Sequence, residues 1–211
     1  MNKPVIIIGA SDFGKAALEI FKSNDVIVYG FLDDNKKKKK KEIEDIPVLG
    51  SSENKSYLKI IGKDCDAFIA SDDNTWKATI IESLRKHRKS MPVNAIHNNA
   101  YVASSAIIRH GSFINLGVKV GANSEIGNHC ILHAGSIVDY GVKLGDFVQI
   151  GAGSIIGSGA EIMEGAFIGS GVTIVSGIKV KEGARIGAGS VVIADVDKNS
   201  TVFGNPAKPV D

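Results

Sequence analysis

Two short stretches of this chain carry side chains whose types and spacing could do chemistry. The first is Gly9-Ala10-Ser11-Asp12-Phe13-Gly14, with the acidic pair Asp33-Asp34 about two dozen residues on. A glycine-rich turn that opens a helix aims backbone N–H groups, from Gly9 onward, and the helix N-terminus at a phosphate. An acid at the end of the next strand bonds a ribose or a base. Ser11 stands where a dinucleotide fingerprint has its second glycine, so an ordinary tight turn between strand and helix fits the same residues. The second stretch holds His133, Asp139 and Tyr140. An imidazole titrates in the range where a general base works, and a nearby carboxylate and phenol can orient it or assist it. The same polar groups also suit a hydrogen-bonded contact between subunits.

A strict repeat positions the second stretch. From Val102 through Ile108, Ile114 and Val120 to Ile186 and Val192, every sixth residue is Ile, Leu or Val. A helix repeats every 3.6 residues and a strand every two, so neither explains a period of six. Hexads over this length predict a parallel β-helix. Three hexads make one triangular coil of eighteen residues, stacked about 4.8 Å from the next. The residue two places before the aliphatic one is usually small, as at Ser112, Ser124, Cys130, Ser136 and Ser154. A narrow prism has room for one large side chain per face. Glycine directly follows the aliphatic residue at positions such as Gly121, Gly127, Gly145 and Gly151, where a tight corner with positive φ or a close backbone approach requires it. On this count Asn115 lies one coil from His133, and Gly157 and Ser158 lie one coil from Asp139 and Tyr140. Ile107, Ile155 and Val191 on the flat sides predict a trimer that covers them.

Residues 1–92 lack the hexads and predict a small Rossmann-like α/β domain; residues 93–211 form the prism and a C-terminal tail. Val5–Ile8, Val26–Leu32 and Asp66–Ala70 read as strands, and the segments after Gly14 and from Thr75 to His87 as helices. This is about half of a doubly wound fold, so a nucleoside diphosphate fits it better than a dinucleotide. Lys36 to Lys41 is an unbroken lysine run, but Glu42, Glu44 and Asp45 follow at once and the formal net charge is only +2. That balance reads as a solvated loop, with a minor role near a substrate phosphate as the alternative, and with no nucleic acid and no membrane as partner. Cys65 and Cys130 have neither disulfide nor metal spacing. No run reaches the roughly 20 apolar residues of a membrane helix, and the first residues carry no signal region; a cytoplasmic protein is expected.

With these residues in view, the chain resembles the sugar O-acyltransferases and nucleotide-sugar N-acetyltransferases of the sialic acid, bacillosamine and perosamine type. The resemblance runs over essentially the full length: Gly9 to Gly14, Gly30-Phe31-Leu32-Asp33-Asp34, the uninterrupted prism, and the closing Val202-Phe203-Gly204-Asn205-Pro206-Ala207-Lys208. It implies a left-handed β-helix, a homotrimer, and acetyl transfer to an amino or hydroxyl group of a UDP- or GDP-linked sugar for bacterial surface glycans. It implies acetyl-CoA as a cosubstrate lying between neighbouring prisms, with no permanently bound cofactor and no metal. Carried over by position, Ser11, Asp12 and Phe13 line the diphosphate and sugar, Asp33 or Asp34 meets the base or ribose, and Ser71 lies near the nucleotide. Gln149 and Ser158 touch the pantetheine arm, and Gly187 with Ala188 the far part of CoA.

The chain departs from that family at the catalytic corner. The family has an acid, a histidine and a second acid; this chain reads Asp139-Tyr140-Gly141. Ionising a tyrosine of pKa near 10 at neutral pH costs about 4 kcal/mol. Gln149 likewise stands where relatives place a histidine near CoA. His133, one corner earlier, is the reserve base. The competing reading is a non-catalytic member that keeps the nucleotide pocket without the chemistry. A serine or tetrahydrodipicolinate acyltransferase is disfavoured because it has no need of the front domain.

Overall fold

The computed structural model describes residues 3–39, 41–88 and 90–210. The chain falls into two compact units, Met1–Asn98 and Asn99–Asp211, so residues 93–98 sort with the first.

The first unit begins with β1 (Val5–Ile8), whose Ile6, Ile7 and Ile8 are all fully buried. A parallel strand covered on both faces is an unbroken apolar run. Helix α1 (Asp12–Ser23) turns Ala17, Leu18, Ile20 and Phe21 inward. Strand β2 (Val28–Leu32) starts two residues later than the apolar run suggests. Then come β3 (Glu42–Ile43), β4 (Ile46–Gly50), the short α2 (Lys55–Leu58), β5 (Asp66–Ile69) and α3 (Asn74–Arg88). The sheet order is β3-β4-β2-β1-β5; all neighbours are parallel except β3 and β4.

That β3–β4 hairpin has no counterpart in the elements expected from sequence. Its turn residues Glu44 and Asp45 both have positive φ, 49° and 65°, the backbone of a two-residue hairpin loop. The lysine run is also more ordered than a solvated loop. Lys36–Lys38 forms a 3-10 turn whose N-cap, Asn35, accepts the Lys37 N–H, and the Lys38 ammonium is bonded to the domain. Lys40 lies outside the described residues.

The second unit is the left-handed parallel β-helix. Two-residue strands recur every six residues and pair in parallel with the strands eighteen residues away. The aliphatic column is inside: Ile114, Val120, Ile126, Leu132 and Ile150 are fully buried. The small position beside it is also a hydrogen-bonding position. Ser124 Oγ donates to Asp139 O at 2.7 Å and accepts the Val142 N–H at 3.2 Å, and Ser154 does the same with Gly169 and Val172. The hydroxyl joins two consecutive coils, which an alanine of similar bulk would not do.

The corners separate two demands that the hexad pattern alone merges. Every sixth residue from Gly111 to Gly189 has positive φ, including Asn123, His129 and Phe147. The glycines directly after the aliphatic residue are two places earlier and do not have positive φ. They are required by close approach instead: a Cβ on Gly127 would lie 2.5 Å from the Gly145 carbonyl carbon, and one on Gly121 2.6 Å from Tyr140 N.

The three faces differ in their outward residues. One carries Tyr101, Lys119, Ile137, Ile155, Thr173 and Val191. A second carries Ile107, Glu125, Lys143, Glu161 and Lys179. The third carries Phe113, Ile131, Gln149, Phe167 and Arg185. Ile107 therefore lies on the charged face, apart from Ile155 and Val191. The tail closes the prism as a hairpin: Thr201–Gly204 pairs in parallel with Arg185–Ile186, and Ala207–Pro209 folds back antiparallel.

Candidate functional site

In the first unit the segments after β1, β2 and β5 enclose a cleft of about 350 Å³. It lies at the carboxyl ends of parallel strands, where open α/β sheets bind ligands. Gly9, Ser11, Asp33, Asp34 and Ser71 line it, together with Asn35, Ala70, Asp72, Asp73 and Trp76. Asp12 and Phe13 do not line it. Asp12 is exposed and paired with Lys15 at 2.9 Å, and the Lys15 hydrogen bond holds its carboxyl below the usual value.

Gly9 has φ +111°, and a Cβ there would run into the Ala70 carbonyl; one on Gly14 would run into the Gly9 carbonyl. The turn is thus packed backbone on backbone. Ser11 is the N-cap of α1, yet its side chain makes no cap hydrogen bond.

The two acids act first on the protein itself. Asp33 accepts the N–H groups of Ala10 at 2.9 Å and Asn35 at 2.8 Å, and the Lys38 ammonium at 3.1 Å. Burial pushes its carboxyl up, but these donors outweigh it and the pKa sits below the ordinary value. Asp34 Oδ1 accepts both the Ser52 N–H and the Ser52 hydroxyl, at 2.8 and 2.9 Å. Trp76, Asp72 and Asp73 are additions to the residues expected from sequence. Their signal was available, because Asp72 and Asp73 closely follow the strand ending at Ile69 and Trp76 is the chain's single tryptophan.

On the prism, the expected residues fall on two edges. His133 follows the strand Ile131–Leu132, and its ring nitrogen Nε2 is 3.3 Å from Gln149 Nε2, one coil further on. Its ring meets Phe113 edge-on, with centroids 6.4 Å apart. Asp139 and Tyr140 follow Ile137–Val138 on the next edge. Asp139 Oδ1 accepts the Tyr140 N–H at 2.8 Å, and the Tyr140 side chain stands in the open, 61% exposed. Ser158, one coil above Tyr140, bonds Ser176 Oγ at 3.0 Å.

Gly187 and Ala188 share the His133 edge, three coils on. Gly187 seats the Phe203 ring of the C-terminal hairpin, since a Cβ there would come within 2.5 Å of Phe203 Cδ2. Within one chain, the His133 edge and the Tyr140 edge border the same face, the one carrying Ile137, Ile155 and Val191. No cluster of three potential metal ligands exists among the described residues, and no described helix is long and apolar enough to cross a membrane.

The uninterrupted left-handed hexad prism is the architecture that hexapeptide repeats build. The profile of the bacterial transferase hexapeptide (six repeats) matches residues 159–194, and that of the PglD N-terminal domain matches residues 4–84. No curated protein sequence matches the chain. Among solved structures, PerB from Caulobacter crescentus in complex with CoA and GDP-perosamine is 27% identical, with a TM-score of 0.88 over 99% of this chain and 97% of that one. The acetyltransferase domain of PglB from Neisseria gonorrhoeae, in complex with acetyl coenzyme A, is also 27% identical, with a TM-score of 0.89 and all of both chains covered. WeeI from Acinetobacter baumannii, 19% identical with a TM-score of 0.57 over 98% of this chain and 99% of that one, shares the fold. The chain thus joins a PglD-type N-terminal domain to a hexapeptide-repeat left-handed β-helix, and in that combination it is similar over nearly its whole length to the acetyltransferases PerB and PglB.

Proposed function

We propose that this protein transfers the acetyl group of acetyl-CoA to an amino or hydroxyl group of a nucleotide-linked sugar used in bacterial surface glycans, as a cytoplasmic homotrimer. The observation that carries the reading is the union in one chain of a cleft at the carboxyl ends of a parallel sheet with an unbroken hexad prism. The relatives of matching architecture hold a nucleotide sugar with CoA, or acetyl-CoA.

In this reading the first unit takes the nucleotide. Gly9 and Ser11 face the diphosphate, Asp33 and Asp34 shape the floor, and Ser71 and Trp76 lie along the base or ribose. The apolar face of the prism, with Ile137, Ile155 and Val191, packs around a three-fold axis. The two edges bordering that face then meet between copies, so His133 of one protomer comes to the level of Asp139 and Tyr140 of the next. Both edges belong to the same coil. Acetyl-CoA runs along the groove so formed, past Gln149, Ser158 and Ala188.

The chemistry is aminolysis (or alcoholysis) of a thioester. The acceptor nitrogen or oxygen attacks the acetyl carbonyl, the tetrahedral intermediate collapses, and the carbon–sulfur bond breaks. His133 takes the proton leaving the acceptor and returns it to the departing CoA sulfur, so free thiol and acetylated sugar are the products. Gln149 offers both an N–H donor and a carbonyl acceptor, and so serves either protonation state of the His133 ring. Tyr140 orients the acceptor by a hydrogen bond. Holding both substrates in place lowers most of the remaining barrier, and corner N–H groups receive the oxyanion.

Thiol release from acetyl-CoA, measured against a panel of UDP- and GDP-amino sugars, tests the proposal. Turnover with one of them supports it. CoA binding without turnover on any acceptor would support the binding-only reading, which the exposed Tyr140 in place of a base favours.

A further inference from the structure

The lysines from 36 to 41 are interchangeable in sequence, but their side chains are not equivalent in the fold. Among the described members, Lys38 is the one whose ammonium is bonded into the glycine-rich turn. It donates to the Ala10 carbonyl at 2.9 Å and to Asp33 Oδ2 at 3.1 Å. The same Asp33 oxygen accepts the Ala10 N–H at 2.9 Å. Ala10 is thereby gripped at both of its polar backbone groups by one ion pair.

This grip has a directional consequence. In a trans peptide the carbonyl and the following N–H point in opposite directions. With the Ala10 carbonyl turned toward Lys38, the Ser11 N–H is turned away from it. Ser11 lines the cleft, whereas Lys38 does not. The Ser11 hydroxyl makes no cap bond to α1, and the Ser11 N–H has no hydrogen-bond partner among the described residues. The lysine stands behind the turn and the donors stand in front.

The geometry points to Lys38 as a positioning residue: it fixes the Ala10–Ser11 peptide so that the Ser11 N–H and hydroxyl face the diphosphate of the bound nucleotide. This rests on the nucleotide-sugar reading above and adds the device by which the turn keeps its phosphate-facing shape. There is a reason for such a device here. Asp33, Asp34, Asp72 and Asp73 all line the same cleft, and their field opposes a diphosphate. Lys38 neutralises the acid nearest the turn, and the clamp keeps the Asp33 carboxylate committed to Ala10 and Asn35. Lys36 and Lys39 are exposed and have no such bond, so the sequence run as a whole is not the functional unit.

Displacement calorimetry on the full-length protein, with UDP and GDP beside uridine and guanosine, tests the assignment. Lys38→Met should weaken the diphosphate that binds by about tenfold, the scale of one hydrogen bond to a charged group, while the matching nucleoside is held as in the unmodified protein. Lys38→Arg should restore most of the loss. Lys36→Met and Lys39→Met should stay within about twofold of the unmodified protein, since exposed lysines act only through screened charge. Equal losses in all three Met variants would mean a diffuse charge effect and overturn the assignment. Equal losses for nucleoside and diphosphate in Lys38→Met would mean a merely structural residue and overturn it too. If the unmodified protein holds neither diphosphate, the nucleotide reading itself fails and the clamp has no ligand to serve.

Discussion

The two units restrain their glycine-rich corners in opposite ways. In the first, one turn is held by groups from distant, unrelated positions: the Asp33 side chain from the end of β2, the Lys38 side chain from the 3-10 turn, and the Ala70 backbone carbonyl packed against Gly9. In the prism, each corner is held by its own copy eighteen residues away, through the same N–H to carbonyl bonds, as from Gly141 to Ala122 and from Gly159 to Tyr140. A convergent site is specified by a handful of contacts that each matter. A repetitive one has its structure specified many times over, and chemistry can sit only where the repeat is broken. His133, Asp139 and Tyr140 are such breaks, in columns otherwise filled by glycine, alanine, asparagine and serine, with Val175 and Ile193 further along the Asp139 column.

Substitutions at a few positions would break or sharpen that contrast. The largest effect is expected at His133, a break in the repeat that stands on the prism edge beside Gln149 and Phe113. His133→Ala should lower turnover by about 10²–10⁴-fold, the range of general base catalysis, with the melting temperature nearly unchanged. Turnover equal to the unmodified protein would remove His133 from the mechanism. If the protein assembles as the proposed trimer, Ile155→Asp, on the apolar face, should dissociate it in sedimentation equilibrium and take activity with it. Glu161→Lys on the charged face should leave the assembly intact. If both variants remain trimeric, the apolar face is not the interface.

Within the repeat, the two kinds of corner glycine should separate by stability. Gly127→Ala forces a Cβ onto the next coil and should destabilise by about 1–3 kcal/mol, as overpacking does. Gly153, with φ +67° and open space around its would-be Cβ, should accept Asn with a loss of only a few tenths of a kcal/mol, because Asn tolerates that conformation. Chemical denaturation curves of the two variants settle the order.

The first unit should be the acid-sensitive one. The folded pKa of Asp33 lies below its unfolded value, so its contribution is complete above the ordinary aspartate pKa and is lost as pH falls through the folded value. Asp33→Asn should flatten that acid loss in a pH series of melting temperatures; an unchanged pH profile would show that the Asp33 network adds nothing. The smallest effect is expected at Cys65. Burial pushes its thiol up to about 11, so the native protein should resist alkylation at neutral pH, and rapid labelling would contradict that burial.

Much of the prism was legible in the sequence because its causes are local and periodic. The hexads give the coil, the inward column and the eighteen-residue register without any knowledge of contacts between distant parts. The double use of Ser124 and Ser154 as hydrogen-bonding links was not legible, since size alone explains a small residue there. In the first unit, the strand Val5–Ile8 and the cleft residues Gly9, Ser11, Asp33, Asp34 and Ser71 could be read from composition and order. The position of Asp12 outside the cleft lining could not be read, because a residue at a helix N-terminus can face either the cleft or the neighbouring surface, where Lys15 pairs with it. The hairpin at Glu44-Asp45 was hidden by a loop of charged residues with no glycine, and the clamp by Lys38 was hidden among identical neighbours.

The hairpin that closes the prism has a consequence for how this molecule behaves in a crowd. A stack of parallel rungs has no natural end; its last strand presents a row of unsatisfied groups onto which another chain's strand could add. Here the final rung is followed by Thr201–Gly204 and then by Ala207–Pro209 running the other way. The returning strand ends in a proline, which has no N–H to offer, and a second proline sits in the bend before it. Phe203 meanwhile lies over Gly187, latching the hairpin to the corner below. The tail thus works as a stopper against growth into filaments, and a chain cut after Val196 would be expected to polymerise end to end while every remaining coil stayed correctly folded.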